Sequence, residues 1–333
     1  MKFEYYGGDE MAQQRLEPGG SGHASLATLG EQILYIVGNG FDLHHGVQSS
    51  YAAFGRYLKE VDPDTYDQLE RYFSVDDDFW WQFEAQLAHL DTDSLLDEAA
   101  AHLPSYGADD WSDAGHHDYE YELDRVVAAI SSTLRRRFSE WVRQLVIPSP
   151  TLLIGKLLQL RRDARYLTFN YTETLQRVYG IPDASVIHIH GAAAHANDQL
   201  VLGHGWARTA ADSFNYGIDP ESADVRVMGG NEIVDRYFTE TFKPTARVIE
   251  SHKAFFQSLS GIKKVFIMGH SLSSVDLPYL LELCRHLGNV EVQWQVSFHE
   301  SPEEVEAGMD SMGIDVNEVR FVPLTEPAHW ACY

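Results

Sequence analysis

Apolar positions along the chain follow two different periods, and the places where one gives way to the other mark out its elements. The first clear signal is the run Ile33-Leu34-Tyr35-Ile36-Val37, which ends at Gly38-Asn39-Gly40. A short run without polar interruption suits a parallel strand covered on both faces, and the glycines predict a tight turn at its carboxyl end. Ser49 or Ser50 then predicts the cap of a helix through Tyr51, Phe54 and Leu58. From about residue 55 to 150 strand signals vanish. Phe79, Trp80, Phe83, Leu87 and Leu90 form one helical stripe, and the longest helix is expected over 118–147, where Leu123 to Leu145 recur at steps of three and four before Pro148. Asp76-Asp77-Asp78 suits the start of the Trp80 helix, where carboxylates meet the positive end of the dipole.

Alternation of strand and helix returns after residue 150. Strands are expected at Tyr166 to Phe169, Ser185 to Ile189, Leu200 to Leu202, Lys264 to Met268, Val290 to Phe298 and Val319 to Leu324. Helices are expected near 173–178, 233–258, 277–287 and 302–309. Such alternation predicts an α/β fold with a doubly wound, mostly parallel sheet of the Rossmann type, with ligands beyond the carboxyl ends of the strands. Residues 1–29, broken by Gly7-Gly8, Pro18-Gly19-Gly20 and Ser21-Gly22, read as a flexible tail. The expected organisation is that tail, then one α/β domain over 30–333 interrupted by a helical insertion over 55–150.

Charge narrows the partners. Asp and Glu total 50 against 25 Lys and Arg, a formal net charge of −25, which repels phosphate backbones and anionic lipid surfaces. The densest basic run, Arg135-Arg136-Arg137, falls in a helical pattern and reads as a solvated face, so no nucleic-acid and no membrane partner is expected. No run of 18 apolar residues occurs, and the first residues lack the basic start and apolar stretch of a signal peptide. Two distant cysteines, Cys284 and Cys332, form neither a disulfide framework nor a thiolate zinc site; the expected compartment is a reducing cytoplasm.

Four short motifs follow predicted strands. Gly38-Asn39-Gly40-Phe41-Asp42 permits close backbone approach, so that main-chain N–H groups could face a pyrophosphate; the same glycines also serve a plain turn, and Asp42 could cap it or hold a ribose hydroxyl. Thr168-Phe169-Asn170-Tyr171-Thr172 puts an amide at a strand end, where Asn is equally a turn former. In His188-Ile189-His190-Gly191 strand period sets both imidazoles on one face, but no third metal ligand follows by spacing and none is expected. Of the two, His190 at the strand end is the one expected to face a ligand, and His188 reads as structural. Gly269-His270-Ser271-Leu272-Ser273 has the form of a nucleophile elbow, with His329 as base and Asp310 or Asp315 behind it. Little chain remains after Ser271 for that order of partners, and its fifth position is Ser where glycine is usual. Glu84, in the helical block, either reaches the site or is paired locally.

Taken together, Gly38 to Asp42, Phe169 to Thr172, Ile189 to Gly191 and Gly269 to Asp276 resemble the AbiH family of bacterial phage abortive-infection proteins, from about residue 31 to 290. Tyr51 to Phe54 and Trp81 to Glu84 belong to the same resemblance. More distantly the set is similar to sirtuin-type NAD-binding proteins. That resemblance implies NAD as substrate or ligand, with Gly38, Asn39 and Gly40 (beside Phe41) at the phosphates and Asn170 at the nicotinamide ribose and its water. It further implies His190 at the ribose hydroxyls and Gly269 and Ser271 on the adenosine side, while Asp42 and Asp276 match positions without an assigned role. The four-cysteine zinc module of sirtuin deacylases cannot be built here, which turns the expectation from deacylation to cleavage of NAD itself. The expected function is therefore an antiphage NAD glycohydrolase acting through Asn170 and His190, answering a phage-derived trigger or partner defence protein and able to self-assemble. The alternatives are a non-catalytic nucleotide sensor that controls assembly and a serine hydrolase using Ser271.

Overall fold

A computed structural model describes residues 32–103, 117–195, 199–288 and 291–330; the expected tail over 1–29 lies outside them, as does the His329 side chain. Six strands build one sheet: β1 (Ile33–Val37), β2 (Arg165–Thr168), β3 (Val186–His188), β4 (Lys264–Met268), β5 (Gln293–Phe298) and β6 (Val319–Pro323). Their order is β3-β2-β1-β4-β5-β6 and every pairing is parallel, so the sheet is doubly wound. Central β1 has no exposed face. Leu34 and Ile36 pack with Val265 and Ile267 on one side, whereas Ile33, Tyr35 and Val37 pack with Phe266 and Met268 on the other. Tyr35 is stacked between Tyr166 and Phe266, its register partners on β2 and β4, with ring centroids 4.8 and 5.1 Å away. Cross-strand pairs of this kind fix register, because a slip of one residue would turn every side chain to the wrong face.

Between β1 and β2 the described residues form helices, including Tyr51–Val61, Pro63–Tyr72, Thr92–Ala99, Asp118–Ala128 and Leu134–Val142. Ser50 and Asp76, at two expected helix starts, and also Asp62 and Asp91 each accept a backbone N–H there. This block has its own core, built on Phe54, Phe79, Phe83, Leu123, Ile130 and Phe138, and Val234, Tyr237 and Phe238 of the helix Val225–Glu240 join it. With Leu200 and Leu202, its contents come from three separate stretches of the sequence.

Three expectations need correction. The helix foreseen over 118–147 is interrupted by a π turn at Ala129–Thr133, where the Ser131 hydroxyl donates to the Val127 carbonyl (2.7 Å) and to Glu240 Oε2 (3.0 Å). Leu200 to Leu202 is not a strand; Leu200 and Leu202 pack into the helical core instead of pairing at a sheet edge. The helix foreseen over 233–258 is three, Val225–Glu240, Thr245–Ser251 and Lys253–Gln257. The first break, at Thr241 to Pro244, is where the chain turns into the site.

Candidate functional site

In a sheet of this order, adjacent connections run in opposite directions from β1 and β4, leaving a crevice beyond their carboxyl ends. All four sequence motifs meet this end of the sheet, since β1, β2, β3 and β4 end at residues 37, 168, 188 and 268. The first and fourth motifs interlock. The Gly38 N–H donates to the Met268 carbonyl (3.0 Å) and the Gly40 N–H to the Gly269 carbonyl (2.7 Å). Gly269 has φ +64°, and a Cβ there would lie 2.1 Å from the Phe41 nitrogen; one on Gly38 would lie 2.6 Å from the Gly269 oxygen. Glycine is required here for backbone-to-backbone contact. The Phe41 N–H is also taken, by the Gly38 carbonyl at 3.0 Å, and the Asn39 side chain exchanges two hydrogen bonds with Ser49. The row of N–H groups expected to face a pyrophosphate is thus largely spent inside the fold, a fact that residue types alone do not reveal.

Asp42 ties the first motif to the second. Its carboxylate accepts the hydroxyls of Thr172 (2.5 Å) and Thr174 (2.6 Å) and faces the Asn170 amide. Complete burial pushes this carboxyl up to about 6 in spite of those donors. Asn170 itself is buried, its N–H bonded to Thr168 Oγ1 and its carbonyl to His188 Nδ1. His188 reaches Gln176 with its other nitrogen. It is thus a satisfied structural histidine, and no metal-binding group is found among the described residues.

His190 sits in a different environment. Its Nε2 lies 3.4 Å from Asp276 Oδ1 and 3.5 Å from Lys243 Nζ, and Phe169, Tyr171 and Tyr279 surround its ring. Lys243 is wholly buried and bonds Glu84 Oε2 at 2.8 Å and Asp276 Oδ1 at 2.9 Å. The other Asp276 oxygen lies 3.6 Å from His270 Nε2. Burial alone would raise the Asp276 carboxyl, but Lys243 and the two imidazoles hold it far below the usual range. Burial likewise opposes a charge on Lys243, and Asp276 and Glu84 overcome it, raising its affinity for the proton. His270 goes the other way, held down to about 4 because burial outweighs the attraction of Asp276. The buried Tyr279 hydroxyl has no hydrogen-bond partner. Glu84, on the helix Phe83–Gln86, therefore reaches the site from the helical block.

Lys243 arrives through a backbone device. The Gly203 φ of +157° lets the chain run so close to Thr241 that a Cβ would lie 2.1 Å from its carbonyl oxygen. The next residue, His204, donates its N–H to Thr241 and accepts that of Lys243. This bridge and Pro244 end the preceding helical period and leave Lys243 pointing among carboxylates.

A family model described as bacteriophage abortive infection AbiH matches residues 34–298. The chain belongs to the AbiH family. None of the curated proteins compared with it matches. The matched span takes in all four motifs, the helical block and Lys243, so the cluster described above lies inside it. Of the residues expected from sequence, the structure gathers Asp42 with Asn170, His190 with Asp276, and Gly38 and Gly40 with Gly269. Ser271 is exposed, the residue with left-handed backbone is Leu272, and the next helix starts at Leu277, so strand, serine and helix do not form the tight elbow that a serine nucleophile uses. Sequence reading missed Lys243, His270 and Tyr279. The available signal for Lys243 was the break Phe242-Lys243-Pro244 within an otherwise helical pattern; His270 stood inside a motif read only for its glycine and serine. Among the described residues no helix is long and apolar enough to cross a membrane.

Proposed function

We propose that this AbiH protein hydrolyses the nicotinamide–ribose bond of NAD as its contribution to abortive infection. The observation that carries the reading is the placement of Asn170 and His190 just beyond the ends of adjacent strands β2 and β3, at the crevice of a doubly wound sheet. His190 is held beside a buried carboxylate, which can orient an imidazole that acts as general base. In this reaction water attacks C1′ of the ribose while the C1′–N bond breaks. The bond's electron pair returns to the ring, so nicotinamide departs neutral and needs no acid. The proton of the attacking water passes to His190 and then to solvent, leaving ADP-ribose. Asn170 orients the water, and the oxocarbenium-like character of the transition state suits a site with two carboxylates nearby.

Access is part of the reading. Side chains of His190, Lys243, Asp276 and Glu84 are between 0 and 11% exposed, so NAD enters only when the helical block moves off the crevice. A protein that must be opened before it consumes a vital dinucleotide is suited to a defence role, because activity waits for a trigger. The assay is nicotinamide release from NAD by purified protein and by cells under phage challenge. Release that is lost in Asn170→Ala and His190→Ala supports the reading. No release in either setting refutes it, and tight ADP-ribose binding without turnover would assign the site to sensing.

A further inference from the structure

The cluster around His190 contains more than a base. Among the described residues, the titratable or charged groups packed on that imidazole form one connected set: Asp276 and Lys243 at its Nε2, His270 on the far side of Asp276, Tyr171 and Tyr279 against its ring, and Glu84 behind Lys243. Lys243 has three N–H groups and spends two at 2.8 and 2.9 Å on carboxylates, where charge-assisted bonds are strong. Its separation of 3.5 Å from His190 Nε2 and the 3.4 Å from that nitrogen to Asp276 Oδ1 are both long for a hydrogen bond, so charge rather than distance decides between them. Of the two, Asp276 Oδ1 is the anionic acceptor. An imidazole between an ammonium and a carboxylate turns its N–H to the carboxylate, and whichever nitrogen carries the proton leaves the lone pair on the other.

We propose that Asp276 is a positioning residue that fixes His190 as the Nε2–H tautomer, leaving Nδ1 as the basic nitrogen, while Lys243 holds the Asp276 carboxylate in place. The proposal rests on the reading of His190 as the base. Its geometry, however, is measurable without any substrate. Asp276 begins the turn into the helix Leu277–Leu287, and its N–H bonds Ser273, so the carboxylate is aimed by backbone rather than by a mobile loop. Lys243 bridges it to Glu84, which prevents the carboxylate from turning away toward His270 alone.

The test is the ring-nitrogen NMR spectrum of the full chain carrying ¹⁵N-histidine, at a pH where imidazoles are neutral, with His190 identified by its loss in His190→Gln. The expected result is a pyrrole-type shift at Nε2 and a pyridine-type shift at Nδ1. In Asp276→Ala the two shifts should move toward each other as the tautomers mix, and Asp276→Asn, whose amide oxygen can still accept, should restore the separation. A wild-type spectrum with the proton on Nδ1 overturns the proposal and needs no variant to fold; so does an Asp276→Ala spectrum indistinguishable from wild type. Nicotinamide release is read separately. Asp276→Ala should lower its rate by at least about tenfold, part of the roughly 10²–10⁴ that a positioned base supplies, with Asp276→Asn in between. Wild-type protein that shows the expected tautomer and never releases nicotinamide removes the glycohydrolase reading and leaves the Asp276–His190 geometry standing.

Discussion

Replacing Lys243 by methionine tests whether the centre of the site is an ion cluster or simply a filled space. Methionine keeps the stem volume and removes the ammonium from two carboxylates at 2.8 and 2.9 Å. At an effective dielectric of about 20 each contact is worth about 6 kcal/mol of Coulomb energy, and desolvation of a fully buried ammonium cancels several kcal/mol of that sum. Removing one partner of such a cluster leaves charges uncompensated, and the expected net loss is about 3–5 kcal/mol at pH 8, read from urea unfolding midpoints. The loss should shrink toward pH 5. In the wild type Lys243 keeps the Asp276 carboxyl far below its usual range, so that group's stabilisation is fully present from pH 5 to 8 and is lost only in strong acid. In Lys243→Met the buried carboxylate takes up a proton on mild acidification, which relieves the penalty. Neutralising all three groups in Glu84→Gln, Lys243→Met, Asp276→Asn should recover most of the stability, because no charge is then left unpaired. A loss below about 1 kcal/mol for the single variant, or a triple variant no more stable than the single, would refute the reasoning.

Two further predictions concern the first motif and its contact with the fourth. The native Asp42 carboxyl titrates near 6 against 3.8 for an ordinary one, so its contribution is fully present below about pH 3.8 and is lost as the pH rises through 6. The total is about 3 kcal/mol, and Asp42→Asn should lack that part of the pH dependence; equal pH slopes for the two proteins between pH 4 and 7 would show that Asp42 is not held as described. Gly269→Ala combines a left-handed backbone with a Cβ 2.1 Å from the Phe41 nitrogen, and should cost well over the roughly 1–2 kcal/mol of the backbone conformation alone. Gly46→Ala, at φ +80° with nothing within 4 Å, isolates that backbone cost and should remain folded; thermal unfolding compares the two.

The central strands β1 and β4 were legible because they are nearly contiguous apolar runs, a pattern that burial on both faces imposes directly on the sequence, whereas polar residues interrupt β5 and β6. The same holds for the order of the motifs, since each must follow its strand. What sequence could not carry is what residues do to one another across long separations. Gly38 and Gly40 look available to a phosphate until the Gly269 carbonyl takes an N–H from across the sheet. Leu200 and Leu202 look like a strand because their pattern is apolar, but the partner that satisfies them is a helical core and not a neighbouring strand. Lys243 is one lysine in a helical period, and its meaning comes from Glu84 and Asp276, neither of which is near it in the chain.

That dispersion leads to a last prediction about how a chain of net charge −25 would receive an anionic dinucleotide. Lys243 is the cation at the heart of the cluster, and as the protein stands its charge is answered twice over. One of the two carboxylates, Glu84, comes from the helical block, and the other, Asp276, from the sheet domain. Lifting the block would leave Lys243 with Asp276 alone and reduce the local excess of negative charge, which favours a phosphate. Glu84→Gln should favour that step, since the amide keeps the shape and loses the charge that ties the block to Lys243. ADP-ribose, which contains the pyrophosphate and lacks nicotinamide, should therefore bind Glu84→Gln more tightly than wild type, by about tenfold if loss of the Glu84–Lys243 pair makes opening easier by close to 1.4 kcal/mol. Calorimetric titration at two salt concentrations checks this, the gain being larger at low salt. Weaker binding by Glu84→Gln would mean that Glu84 holds the ligand directly, and unchanged binding would place the phosphates away from Lys243; either result would refute a link between opening the block and receiving the dinucleotide.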